Sequence, residues 1–109
     1  MYEHIREHLQ GFARKGEVTY YGDVAPLAGL DMSLPNDRHK IGGILDAINR
    51  EEVAEGGPLL SAVVVHRENR MPGKGFFKLG RALGRFDGHD EDAYYIAELR
   101  KVYDYWRTH

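Results

Sequence analysis

Leu59-Leu60-Ser61-Ala62-Val63-Val64-Val65 is the stretch on which the fold turns. It is the longest apolar run in the chain, it is interrupted by one serine, and it leads into His66-Arg67. Valines fill its second half, and an apolar run without alternation fits a strand buried on both faces. A strand is therefore expected over 59–66. Gly56-Gly57-Pro58 breaks the chain just before it. The segment 67–75, with Pro72, Gly73 and Gly75, is expected as a loop just after it.

Working outward, the flanks are helical. Tyr2, Ile5, Leu9 and Phe12 fall at helical spacing and predict a helix over 2–14, ended by Lys15-Gly16. Val18-Thr19-Tyr20 predicts a short strand. A second short helix is expected from Tyr21 across Pro26, closed by Gly29. Ile41, Ile44, Leu45 and Ile48 mark one face of a longer helix ending near Glu55, with Ser33, Asn36 or Asp37 as its cap. Gly42-Gly43 inside it cost about 1 kcal/mol each relative to alanine and suggest close approach of another backbone. Phe76, Phe77, Leu79 and Leu83 predict a short helix stopped at Gly84. The acidic run 87–92 caps a last helix whose apolar face is Tyr95, Leu99, Val102, Tyr103 and Trp106. The fold class expected is α+β, mostly α, with a small sheet.

A chain of 109 residues is read as one domain able to bury a core without a metal or a disulfide. Its lack of cysteine excludes thiolate chemistry, disulfide frameworks and cysteine-ligated zinc. The opening MYEHIREHLQGF has no secretory-signal pattern, and no run is long enough to span a bilayer, so a cytoplasmic protein without membrane contact is expected.

Net charge is −2. Residues 1–59 carry six Lys/Arg against ten Asp/Glu, and residues 86–109 carry three against six. Between them, residues 60–85 hold Arg67, Arg70, Lys74, Lys78, Arg81 and Arg85 against Glu68 alone. A basic segment set in an acidic chain suits contact with phosphates.

Three stretches in order resemble the C-terminal domain of DNA alkylguanine alkyltransferases. They are GEVTYYGDVAPLAGL at 16–30, HKIGGIL at 39–45, and VVVHR at 63–67 followed by the glycine-rich loop. The resemblance covers about residues 14–83. That family presents a Pro-Cys-His-Arg active site on a winged helix-turn-helix, and Val65 stands here where the reactive cysteine would be. Alkyl transfer through a thiolate is thereby excluded. The family's alkyltransferase-like branch also lacks the cysteine and binds lesions without repairing them. The resemblance places His39 at the family's base-displacing arginine, with Arg38 one residue earlier. It also implies a non-catalytic winged helix-turn-helix that binds double-stranded DNA. Arg38, His39 and Lys40 would start the recognition helix, Tyr20 and Tyr21 would brace its approach, and His66, Arg67, Arg70 and Lys74 would contact DNA from the wing.

Other chemistries find less support. Ser61 has no Asp–His pairing near it in sequence. His4 and His8 share a helix face but lack the HExxH order, so neither a metal nor any other cofactor is expected. Asp46, Glu51 and Glu52 before the strand, with His66, Lys74 and Lys78 after it, are a poor match to a metal-dependent nuclease, because the strand carries no acid. A protein–protein module on the same scaffold is the alternative. It would form a homodimer or bind another protein through Tyr94, Tyr95, Tyr103, Tyr105 and Trp106 of the last helix.

Overall fold

The computed structural model describes residues 2–109. Helix α1, Glu3–Lys15, buries Ile5, Leu9 and Ala13, which lie four residues apart on one face. It ends where Gly16 turns left-handed at φ 70°, and the N–H groups of Gly16 and Glu17 bond back to Ala13 and Phe12. Strand β1, Thr19–Tyr20, leads directly into α2, Tyr21–Val24. A 3-10 turn, Ala25–Ala28, carries Pro26 at its start and is closed by Gly29.

Helix α3, Pro35–Ala54, starts at a proline whose fixed φ and missing N–H suit a first turn. No side chain caps it, contrary to the expected Ser33, Asn36 or Asp37. Those polar groups fold the preceding loop instead. The Asp37 carboxylate accepts from Asp31 N at 2.9 Å, and Asp31 accepts from Ser33 N at 2.8 Å and Ser33 Oγ at 2.7 Å.

The expected strand over 59–66 is corrected. Leu60–Val63 is a 3-10 helix and only Val64–Val65 forms strand β2. The cause is side-chain hydrogen bonding that takes over from a ladder. Leu59 N donates to Glu98 Oε2 at 3.0 Å and Ser61 N donates to Asn49 Oδ1 at 2.9 Å, so neither amide needs a neighbouring strand. Strand β2 pairs in parallel with β1, Thr19 opposite Val64 and Tyr20 opposite Val65. The segment is the hub of the core, with α1, α3 and α5 packed around it.

Helix α4, Lys74–Ala82, follows, and Gly84 turns left-handed after it. Helix α5, Glu91–Trp106, begins at Asp90, whose carboxylate accepts from Ala93 N at 3.0 Å. Over the described residues the class is α+β, mostly α, with five α-helices and a two-stranded parallel sheet. Among the described residues no helix is long and apolar enough to cross a membrane.

The aromatics of α5 turn inward. Tyr95 donates to Ala62 O at 2.9 Å, Tyr94 stacks on Phe86 at 4.5 Å, and Trp106 is buried beneath the Arg14 guanidinium. Gly80 exists for Tyr94, because a Cβ there would lie 2.6 Å from the phenolic oxygen. Tyr95 and Trp106 are buried, while Tyr94, Tyr103 and Tyr105 remain half-buried. Ile96 is the large apolar side chain α5 leaves exposed.

Candidate nucleic-acid interface

Two clusters form at the junction of α2, α3 and α4. The larger surrounds a cleft of about 800 Å³ between α3 and α4. Arg38 and His39 enter it from the first turns of α3, and Lys74 and Lys78 enter from α4, all four exposed. Spacing of four on α4 places both lysines on one face. Ile41, Leu45, Phe76 and Leu79 supply apolar walls. The floor is polar: Asn49 Nδ2 donates to Ser61 Oγ at 2.7 Å, the reciprocal of the Ser61 N–Asn49 bond, and both residues are buried.

Tyr21 fixes one end of this cleft. Its hydroxyl accepts from Gly73 N at 2.8 Å and its ring stacks on His66 at 4.4 Å. The residue that opens α2 therefore holds the backbone from which α4 begins. Burial pushes the Tyr21 phenol up, against the opposing effect of the Gly73 bond.

The second cluster is a folded-back turn. His66 N donates to Met71 O and Arg70 N to His66 O, both at 2.9 Å, so residues 66–71 close a tight loop that forms no strand. Arg70 adopts φ 55° there and donates to the Tyr20 hydroxyl at 3.0 Å. The Arg67 guanidinium lies 4.2 Å from the centre of the Tyr20 ring and pairs with Asp23 at 2.9 Å. The loop expected over 67–75 is present up to Gly73, where α4 takes over at Lys74, and it is a compact turn whose arginines grip the β1–α2 junction.

Of the residues singled out from sequence, Tyr21, Arg38, His39, His66 and Lys74 converge on the cleft, and Tyr20, Arg67 and Arg70 form the turn cluster beside it. Lys40 is exposed on α3 but does not line the cleft. Lys78, Asn49 and Ser61 were not anticipated there. Asn49 was discoverable, because it falls eight residues after Ile41 and four after Leu45 on the face predicted to be buried. Val65 is fully buried.

The acids weighed for a nuclease are dispersed. Glu51 and Glu52 bind Arg6 at 3.0 and 2.7 Å, and Asp46, the one carboxylate lining the cleft, pairs with Arg50 at 2.9 Å. His4 approaches Leu27 O and His8 packs edge-on against Phe12. Among the described residues no group of three or more His, Asp or Glu could hold a metal. Comparison with protein-family models, with curated proteins and with solved structures found no match.

Proposed function

We propose that this chain is a non-catalytic double-stranded DNA-binding protein of the winged helix-turn-helix type, with a compact turn in place of an extended wing, serving regulation or lesion sensing. The observation that carries this reading is the convergence of Arg38 and His39 on α3 with Lys74 and Lys78 on α4. These groups come from two elements, face solvent together, and meet one carboxylate that Arg50 already occupies. Such a cationic edge suits phosphates. On the adjoining helix surface Gly42 and Gly43 present no side chain, which lets a groove wall come close to the backbone. The resemblance to alkyltransferase-like proteins points the same way, and the absence of cysteine removes the nucleophile that alkyl transfer would need.

The test is a fluorescence-anisotropy titration of duplex DNA at two salt concentrations. Micromolar binding that weakens with salt is expected, and Arg38→Ala with Lys74→Ala should flatten the salt slope by about two units. Absence of binding at low salt would overturn the reading in favour of a protein-interaction module. That alternative draws on Leu27 and Leu34, 39% and 51% exposed on the connection between α2 and α3.

A further inference from the structure

We infer that the α3–α4 cleft is a binding site for a small organic phosphate monoester, an apolar body with a dianionic head, and that its occupant competes with DNA for the same cations. The competition rests on the DNA-binding reading; the ligand site does not.

Four features converge. The cleft, at about 800 Å³, is within the size range of small-molecule sites. Its walls and rim divide by chemistry, with Ile41, Leu45, Phe76 and Leu79 on the apolar side and Arg38, His39, Lys74 and Lys78 on the polar side, where the one carboxylate, Asp46, is paired with Arg50. Helix α4 opens into it at Gly73, Lys74 and Gly75 without a side-chain cap; Gly73 N is held by the Tyr21 hydroxyl and Phe76 N by Gly73 O, which leaves the N–H groups of Lys74 and Gly75 to add to the lysines. A dianion satisfies several such donors at once, which a neutral ligand cannot do.

The fourth feature is the glycine pair. Two glycines inside a helix of 20 residues cost about 1 kcal/mol each relative to alanine. A Cβ at Gly42 or Gly43 would meet nothing within 4 Å, so no packing inside the chain requires them. Both line the cleft, and side chains there would occupy it. The helix thus gives up stability and keeps the cleft open.

The experiment is titration calorimetry of the full chain with 1-naphthyl phosphate, using inorganic phosphate and 1-naphthol as the two halves of the probe. One naphthyl phosphate should bind per chain, with each half at least about tenfold weaker. Lys74→Ala with Lys78→Ala should cost about tenfold in affinity, as expected for lost charge-assisted contacts. Gly43→Phe should abolish binding while its melting temperature stays equal or rises. Equal binding of 1-naphthol, no binding of naphthyl phosphate, or full binding by a folded Gly43→Phe variant would each overturn the site. Duplex affinity should fall in saturating naphthyl phosphate. Bound ligand with unchanged duplex affinity would defeat the competition, whereas ligand binding without any duplex binding would defeat the DNA reading and the competition that rests on it, and leave the ligand site standing.

Discussion

Arg85→Met is expected to be among the most damaging single changes outside the apolar core. The Glu98 side chain is fully buried, and its Oε2 accepts from Leu59 N at 3.0 Å and from Arg85 Nη2 at 2.7 Å. Oε1 has no partner. Arg85 is 26% exposed and could reach water without Glu98, whereas Glu98 has no route to water without Arg85. Methionine keeps most of the apolar stem but strands a buried carboxylate on one backbone N–H, at a cost of about 3–5 kcal/mol. Glu98→Gln keeps an acceptor for Leu59 and removes the charge, at about 1–3 kcal/mol. In the Glu98→Gln background, Arg85→Met should then cost less than about 1 kcal/mol, so the cycle should return a coupling of about 2–4 kcal/mol. Urea unfolding followed by fluorescence of Trp106, the single tryptophan and 7% exposed, measures all four proteins. Equal costs for Arg85→Met in both backgrounds would show that the carboxylate is not what the arginine stabilises.

His39→Glu should weaken duplex binding by about 1–3 kcal/mol with little change in melting temperature, because the residue is exposed near the start of α3; unchanged affinity in a folded variant argues against groove contact. Four of the seven tyrosines should titrate late: Tyr94 and Tyr95, pushed up to about 12 by burial, and Tyr21 and Tyr103, raised by the same cause. A folded-state value above the unfolded one favours the neutral phenol in the fold. This stabilisation is complete below the ordinary value of 10 and is lost as pH rises toward about 12, so spectrophotometric titration should show delayed phenolates that ionise together with unfolding. Duplex carrying alkylated guanine should leave the intact mass of the protein unchanged, because the chain has no thiol to take the alkyl group, and a mass gain on any residue would overturn this expectation.

The long helices were legible because periodicity states them directly. Ile5 and Leu9 on α1, and Ile41, Ile44, Leu45 and Ile48 on α3, face the core as their spacing requires. The segment 59–65 was misread because a continuous apolar run reports burial and not backbone shape. What bends it into a 3-10 turn is Asn49 and Glu98, partners that no local pattern connects to Leu59 or Ser61. The turn at 66–71 was half legible: its glycine and proline neighbours announce a loop, but the grip of Arg67 and Arg70 on Tyr20 needs tertiary proximity. Arg38, His39 and Lys74 were legible as candidate contacts, but the cleft they line was not, because its polar floor depends on one asparagine meeting one serine. The packing of Tyr94 was not legible, because composition cannot show that Phe76, Phe77 and Phe86 gather around it.

The packing of α1 against α5 orders the birth of the protein as well as its shape. Ile5, Leu9 and Ala13 are made well before α5, yet part of their cover comes from that helix. The parallel pairing of Thr19 with Val64 likewise waits for the middle of the chain. Until α5 leaves the ribosome, nascent chains carry an amphipathic first helix whose apolar stripe is only partly covered and a buried segment whose Leu59 amide lacks its acceptor. Truncations before Glu91 should therefore behave as collapsed, protease-sensitive chains, and completion of the last helix should convert them to a folded domain in one cooperative step.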